Sequence, residues 1–559
     1  MSSLSQTISY RGEVVNQLVA VDRSEQVLQI EDGLRLSAVT YRAPVPQGRW
    51  PHPPEFDQLR HLRIKPVDSP DDPASADAII VMLPGAIAGA RSMQPVGCNT
   101  VRRLLAAGVR AEFWSLDRRP NALEDHSPIP VALAEGDHRL AFDYYYRGRE
   151  VGGRRFPGFR RNRDLRFLAD FGMAQVVADT HAVVSAEIPD PDVRGGKLFL
   201  GGHSLGGFQA GTYAGWDFAG RPGHEQVAGL IALDTVTNLD VFRLRSQRPR
   251  LGAAASSASR LVDTLVPKAI RRGLIPGSVA VRPVRVPEMF AMLAAVATAA
   301  VLAPHAESDV LSLIPERGTA ALAVRAAASR TWRQFAGLGP DHRKLRLTNR
   351  AALGLIASAH TAPTLGVLSM NCGSLDGPVA PCTWPLPEGA AGRPVLGALR
   401  QAGMGVTPRH APTSRDHLYT WRNFDQCDST AGEFADITEL ARILAGGELN
   451  VFEDYFAVRE TLDVAPAALG CRTGSLAPLR HEPGAAKLPY INLMGEASFT
   501  DVIRFLDVYP KDAHWIPGYL HCDVALSSDR RPDGVPEPVA VHLSEFVGKQ
   551  VRRAPGRAS

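Results

Sequence analysis

The stretch KLFLGGHSLGG at 197–207 places Ser204 between two pairs of glycines at the end of an apolar run. Its central five residues, GHSLG, match G-x-S-x-G, a pattern in which a strand turns sharply into a helix and presents the serine in a strained conformation. A serine exposed in this way is a nucleophile when a base lies within hydrogen-bond reach. The alternative is a Gly/Ser-rich turn without chemistry, and the neighbouring elements must distinguish the two.

Strand-like and helix-like patterns alternate around this serine. Apolar runs typical of strands occur at 78–83, 109–119, 198–200, 227–236 and 488–494. Helix-compatible sequence separates them, as at 169–187, where apolar residues recur every three to four positions. This alternation predicts an α/β fold with a mainly parallel sheet flanked by helices. Ser204 then lies at the carboxyl edge of a central strand, where open α/β sheets hold their sites.

The alternation stops between 245 and 485. An insertion of roughly 240 residues is far longer than an ordinary connection and predicts a mostly helical cap or lid. We therefore expect a core from two blocks, 1–244 and 486–559, around this insertion. The apolar run 286–304 falls short of the roughly twenty residues that span a bilayer, which favours a buried or substrate-facing helix; we expect it to cover the site.

Composition and charge are typical of a soluble globular protein and do not point to a nucleic-acid or membrane partner. The chain has 559 residues, 45% hydrophobic and 21% charged, with a formal net charge of +4. So small a charge creates no field that demands a nucleic acid or a membrane. The N-terminus lacks a basic region followed by an apolar one, so we expect a cytoplasmic location unless a leader has been removed. The pattern says nothing about oligomeric state.

The cysteines and histidines give no metal signature. The six cysteines are Cys98, Cys372, Cys382, Cys427, Cys471 and Cys522. They include no C-x-x-C pair and form no zinc spacing with His410 or His417, so we predict no structural metal and no cofactor. One or two disulfides between 372 and 471 and free buried thiols both remain open.

Together these segments resemble the α/β-hydrolase superfamily of serine hydrolases. The resemblance covers about 55–240 and 486–549 and rests on a glycine-bearing loop after an early strand, the GHSLG turn, and GYLHCD near the C-terminal end. It implies a Ser-acid-His order along the chain, with the histidine after the last core strand. His521 in GYLHCD occupies that place, whereas Asp523 is expected to cap a helix or support the site.

The acid departs from the family pattern. The resemblance implies a carboxylate at 498, but LMGEAS has Ser498 there. Glu496, just beyond the strand, is our first choice, since the role needs only a carboxylate near the imidazole N–H. Asp501 comes next, although Ser498 and Asp501 also form a capping-box pattern. Asp234, at the end of an earlier strand, and Asp376 are further alternatives.

The resemblance also implies an oxyanion hole. One donor is the backbone N–H of Leu205, after the nucleophile, and the second comes from the loop LPGAIAGA, where Ala86 is favoured over Ile87. A plain Gly-rich strand-to-helix loop is the alternative. No Gly-Lys-Ser/Thr follows either loop, so neither is a phosphate-binding loop.

The segment 152–167 contains six arginines and three phenylalanines. A solvated loop is the favoured interpretation. Nucleic-acid binding through phosphates and stacked bases, and recognition of a carboxylate or phosphate on the substrate, are the alternatives. For the whole chain we expect a serine hydrolase acting on small-molecule esters with apolar or acyl groups. An acyltransferase, or an amidase or peptidase on the same fold, is the alternative.

Overall fold

The computed structural model describes residues 7–10, 13–16, 23–45, 51–247, 264–279, 286–362, 370–384, 409–427, 432–498, 512–531 and 533–553. Strands of the first half of the chain are β1 (Thr7–Tyr10), β2 (Glu13–Asn16), β3 (Arg23–Glu31), β4 (Leu34–Arg42), β5 (Gln58–Pro66), β6 (Ala78–Leu83), β7 (Ala111–Leu116), β8 (Leu198–His203), β9 (Asp217–Phe218), β10 (Arg221–Pro222) and β11 (Gly229–Leu233). Later strands are β12 (Arg346–Leu347), β13 (Ser374–Asp376), β14 (Val379–Pro381), β15 (His410–Pro412), β16 (Leu418–Arg422), β17 (Tyr490–Gly495) and β18 (His514–Ile516).

Helices surround these strands. Those of the first half are α1 (Gln94–Ala106), α2 (Pro128–Glu135), α3 (Arg139–Arg147), α4 (Met173–Glu187), α5 (Pro191–Lys197), α6 (Leu205–Ala214) and α7 (Asn238–Gln247). Those of the second half are α8 (Val286–Leu302), α9 (Val310–Leu313), α10 (Thr319–Ala328), α11 (Trp332–Phe335), α12 (Asn349–Ala357), α13 (Ile437–Leu444), α14 (Val458–Ala468), α15 (Glu482–Ala485), α16 (Asp523–Leu526) and α17 (Pro538–Arg553).

The central sheet has the strand order β18-β17-β11-β8-β6-β7-β5-β4-β3. Neighbouring strands from β18 to β7 pair in parallel, whereas β5, β4 and β3 add antiparallel strands at one edge. The predicted fold class is confirmed: a large, mostly parallel sheet is flanked by helices. The apolar runs predicted as strands form β6, β7, β8, β11 and β17 because each lies at the interior of this sheet.

Both faces of the sheet are covered, which explains why β6 reads as a continuous apolar run. Ile80 and Met82 point into a core shared with α1 and α17, whereas Ile79 and Val81 point into a second core shared with α4 and α6. All four side chains are fully buried. Alternate residues of one strand thus fill two separate cores, and β8 and Ser204 are held between them.

A third apolar core lies in the region between β11 and β17. Helix α8 is at its centre and packs against α10, α12 and α13, and also against α2 and α3 of the first block. Ala295, Val296 and Ala297 are completely buried. The expected apolar helix is therefore present, but its sides are covered by other helices. Helix α14 of the same region packs on the sheet domain beside α4 and α6.

All six cysteines lie within the described residues and all are free thiols. Of the two alternatives left open for the cysteines, disulfides and free thiols, the structure has free thiols. The helix-compatible stretch 499–506 and Asp501 lie outside the described residues. No helix within the described ranges is both long enough and apolar enough to cross a membrane.

Candidate active site

Ser204 occupies a strained turn between β8 and α6. Its φ of 53° and ψ of −119° lie in a region that non-glycine residues rarely adopt. The flanking glycines permit this turn: a Cβ on Gly206 would lie 1.9 Å from the Leu83 carbonyl oxygen, and one on Gly202 would lie 2.1 Å from the Gly206 carbonyl carbon. The G-x-S-x-G spacing is thus a steric requirement of this site, and it leaves Ser204 half-buried.

The sheet places Ser204 beside Asp234. His203 and Leu233 are paired residues at the carboxyl ends of β8 and β11, and the Ser204 amide donates to the Leu233 carbonyl at 3.0 Å. Ser204 and Asp234 are therefore the first residues beyond two adjacent parallel strands. Such strand ends meet at one edge of the sheet.

His521 follows β18 and is buried against this edge. Its Nδ1 lies 2.5 Å from Asp234 Oδ2, and its side chain is 1% exposed. The ring of His203 lies 4.4 Å from the His521 ring, and His203 Nε2 donates to the His521 carbonyl at 2.9 Å. Burial and the neighbouring imidazole lower the pKa of His203 well below its ordinary value, so this ring is neutral.

Asp234 is held by three donors. The Gly495 amide donates to Oδ1 at 2.8 Å, while Ser498 Oγ at 2.5 Å and His521 Nδ1 share Oδ2. The residue is completely buried and has a φ of 45°, a left-handed conformation that turns the chain at the end of β11. A buried carboxylate with all its donors fixed orients an imidazole and stabilises its charged form.

Glu496, the first choice from the sequence, does not make this contact. It is exposed beyond β17, and its amide donates to the Ile516 carbonyl at 3.0 Å, which continues the β17–β18 pairing and directs the side chain to solvent. The structure instead brings Asp234, a weaker alternative from the sequence, to His521. Asp376 is exposed in β13, 3.5 Å from Arg422.

Asp523 supports the loop that carries His521. Its carboxylate accepts from the amide of Leu520 and from the amide and side chain of Asn371, each at 2.8 Å. Burial raises the pKa of Asp523 to about 7, against the effect of these donors. Asp523 is the first residue of α16, whose N-cap is Cys522 without a side-chain cap, so of the two roles expected for Asp523 its contacts match the support of the site and not the helix cap.

The loop after β6 lies against Ser204. A Cβ on Gly85 would lie 3.1 Å from Ser204 Cβ and 3.0 Å from His203 Nδ1, so a larger residue would have to displace these side chains by a few tenths of an ångström. Ile87 has a φ of 56°, a conformation disfavoured for a β-branched residue. Within the described part of the chain, neither the amide of Ala86 nor that of Leu205 donates to a protein acceptor.

Arg118 fixes this loop from beneath. Its guanidinium donates to the carbonyls of Pro84 at 2.9 Å, Gly85 at 2.7 Å and Ala88 at 2.8 Å. Its Nε donates to Glu453 at 2.7 Å, and the side chain is 3% exposed. Arg118 thus binds the carbonyl groups of the loop, and the Ala86 amide takes no part in these hydrogen bonds. Sequence reasoning missed Arg118, although its place two residues after β7, beside the neighbouring strand end, was a signal.

The arginine-rich segment 152–167 is mainly a surface segment. Five of its arginines are exposed, whereas Phe156 and Phe159 pack against Tyr145. Arg160 and its neighbours border a cavity of about 1360 Å³ that Tyr455 also lines. This placement agrees with a solvated surface whose phenylalanines pack against the third apolar core.

Comparisons with known proteins are sparse. No protein-family model matches the chain, and no curated protein does. Similar solved structures include the hypothetical protein PA1622 from Pseudomonas aeruginosa PAO1, at 12% identity and a TM-score of 0.23, covering 94% of this chain and 98% of that one. Another is the peroxisomal alpha-beta-hydrolase Lpx1 from Saccharomyces cerevisiae, at 11% identity and a TM-score of 0.30, covering 94% of this chain and 92% of that one. Both are too distant to identify site residues or a substrate.

Proposed function

We propose that the chain is a serine hydrolase of carboxylic esters, with Ser204 as nucleophile, His521 as base and Asp234 as the acid. The observation that carries this proposal is the strained, glycine-flanked turn of Ser204 beside a buried His521–Asp234 pair, 2.5 Å apart. A hydroxyl needs a base, and the base needs a third group that fixes its tautomer. With Asp234 on Nδ1, Nε2 of His521 is the proposed acceptor of the serine proton.

The reaction proceeds in two halves. Ser204 Oγ bonds to the ester carbonyl carbon while His521 Nε2 takes its proton, and the alkoxide then leaves with that proton as the alcohol. Water attacks the resulting acyl-enzyme, gives a proton to His521, and releases the carboxylic acid as Ser204 recovers its proton. In each half the carbonyl oxygen becomes an oxyanion, for which the amides of Ala86 and Leu205 are the proposed donors.

An apolar substrate group is supported by the surroundings of the site. Ile87 on the loop, Phe452 beside it and Cys522 next to His521 are part-buried and pack against the core that α8 organises. The backbone of Phe452 forms an isolated antiparallel β-bridge with Ala88. Its ring stacks on that of Phe290 in α8, with the ring centroids 4.4 Å apart. The inserted region is thus proposed as a cap that offers apolar contacts to the acyl group, at about 0.8 kcal/mol per buried methylene.

The test combines active-site labelling with a chain-length series. A fluorophosphonate should label the wild type once per chain and should fail to label Ser204→Ala. The control is Ser312→Ala, which changes an exposed serine whose hydroxyl bonds only locally to Asp309. With p-nitrophenyl esters, kcat/KM should rise from acetate to medium chains and be lost in Ser204→Ala.

Labelling that persists in Ser204→Ala would contradict the nucleophile assignment. A preference for acetate would contradict the apolar substrate class and leave the nucleophile standing. Added alcohols separate hydrolysis from transfer, because a transferase would pass the acyl group to the alcohol in preference to water.

A further inference from the structure

A second group of chemically active side chains lies outside the candidate active site. Glu124 and His126 follow a short 3-10 turn after β7, and Asp454 precedes α14. One ligand atom from each lies within 4.8 Å of the others, and Glu124 Oε2 is 3.4 Å from His126 Nε2. The side chains of Glu124 and His126 are 1% and 8% exposed, and Asp454 is 5% exposed.

Among the described residues, no arginine or lysine forms an ion pair with Glu124 or Asp454. The charged neighbours that act on Asp454 are Glu124 and Glu453, both acidic. Arg118, the basic residue near Glu453, already donates to that carboxylate and to three carbonyls. Burying two carboxylates together is costly unless a proton or a cation compensates.

Two buried atoms of the group lack partners among the described residues. Asp454 Oδ1 and His126 Nε2 have no hydrogen bond, although both are shielded from solvent. Glu124 is held in place, since its carboxylate accepts from the amide of Asp454 and from the side chain of Asn450. The group therefore offers one oriented carboxylate and two buried ligand atoms without hydrogen-bond partners, all within 4.8 Å of one another.

We propose that Glu124, His126 and Asp454 bind a divalent ion with the ligand preference of Zn²⁺. Two carboxylates and one imidazole match zinc, with bonds of about 2.0–2.2 Å, whereas calcium prefers oxygen ligands only. The 3.4 Å between Glu124 Oε2 and His126 Nε2 equals the separation of two ligands on a tetrahedral ion. Asp454 needs a side-chain rotation to complete three ligands, and water takes the fourth position.

The bound ion would stabilise the segment that supports the loop after β6. Glu453, next to Asp454, donates its amide to the Ile87 carbonyl at 2.9 Å, and the amides of Gly89 and Arg91 donate to the carbonyls of Val451 and Asn450. This role is structural, so the proposed ion site can be tested independently of ester hydrolysis.

The spacing of cysteines and histidines predicts no metal, because such spacing carries no signal for carboxylate ligands. Here a Glu-x-His pair and an aspartate some 330 positions away supply the ligands, a combination that only folding brings together.

The experiment uses the full-length chain, stripped with EDTA and titrated with Zn²⁺ by calorimetry and by thermal denaturation. The wild type should bind one Zn²⁺, and Tm should rise by about 2 °C or more at 100-fold excess over Kd. His126→Asn and Asp454→Asn should lose both effects. His360→Asn, which changes a histidine paired with a single buried carboxylate, Glu433 at 2.8 Å, should keep them.

The variants also separate the cation from a shared proton. Without metal, Asp454→Asn removes a buried like charge, so it should be at least as stable as the stripped wild type. If Asp454→Asn fails to fold, His126→Asn provides the test, since the side chain of His126 is the most exposed of the three ligands. No Zn²⁺ uptake by the wild type, or uptake that survives in His126→Asn, would overturn the proposal. Calcium binding with equal affinity would overturn the assigned ion class.

Discussion

The Ser498 hydroxyl donates a 2.5 Å hydrogen bond to the Asp234 carboxylate, across the ends of β17 and β11. The resemblance to α/β-hydrolases implies an acid at position 498, whereas the carboxylate that contacts His521 is Asp234, which follows a strand one place nearer the serine. The carboxylate thus lies on the neighbouring strand, and the side chain in the expected position is a donor to it. An acid at position 498 and Asp234 are two ways of supplying one carboxylate to His521 Nδ1, and the structure has the second.

We predict that Asp234→Asn lowers kcat/KM for ester hydrolysis by on the order of 10³–10⁴-fold, because an amide at this position no longer fixes the His521 tautomer or its charge. Initial rates on a p-nitrophenyl ester measure the loss. Glu496→Gln, an equivalent substitution at an exposed residue, should leave kcat/KM unchanged. The reverse pattern would return the acid to Glu496.

A second prediction concerns Arg118. Arg118→Lys keeps a positive charge beside Glu453 but replaces a planar fork that spans three carbonyls with a point charge. The loop can then rotate its peptides, so kcat should fall by about 10²-fold while KM changes little, as expected when an oxyanion donor is misplaced.

The matched control is Arg119→Lys. Arg119 is equally buried, pairs with Asp179, and donates to the carbonyls of Ala43 and Phe56, away from the site. Both variants should lose similar stability in a urea titration, but Arg119→Lys should keep kcat. Equal losses of kcat in the two variants would show that Arg118 is only structural.

Strand and turn patterns predicted the parts of this fold that depend on local sequence. Run length and glycine placement locate β6, β8 and Ser204 because a buried strand excludes charge and the turn excludes side chains. The acid depends on something else. A carboxylate directly follows both β11 and β17, and these strands are neighbours in the sheet. The spacing of residues along the chain therefore cannot choose between Asp234 and Glu496. The choice follows from the left-handed turn at Asp234, which directs its side chain inward.

A third prediction tests how α8 is packed. Val296 is completely buried at the centre of the third core, so Val296→Asp should lower the free energy of unfolding by roughly 3 kcal/mol or more. Leu302→Asp, at the half-exposed end of the same helix, should cost much less. Thermal denaturation compares them. Equal losses of stability in the two variants would contradict the packing of Val296 in this core.

The fourth prediction concerns acid stability and His61. This histidine is completely buried on β5, between Tyr41 at 5.8 Å and Trp114 at 5.3 Å between ring centroids. Neither ring nitrogen has a hydrogen-bond partner among the described residues. Burial, against the attraction of Glu187, lowers the pKa of His61 to about 4, so the ring is neutral in the folded protein at pH 7.

The folded-state pKa lies below the ordinary value of about 6.5, so the unfolded chain binds the extra proton as pH falls. The contribution of His61 to stability is therefore complete above pH 6.5 and is lost between 6.5 and about 4, at up to about 1.4 kcal/mol per pH unit. His61→Phe should be at least as stable as the wild type at pH 7, since an apolar ring replaces two unpartnered nitrogens. Urea titrations at pH 7, 6 and 5 should show a shallower loss for His61→Phe, whereas exposed His305→Phe should follow the wild type. Parallel pH dependence of wild type and His61→Phe would show that the buried ring is not the group that titrates.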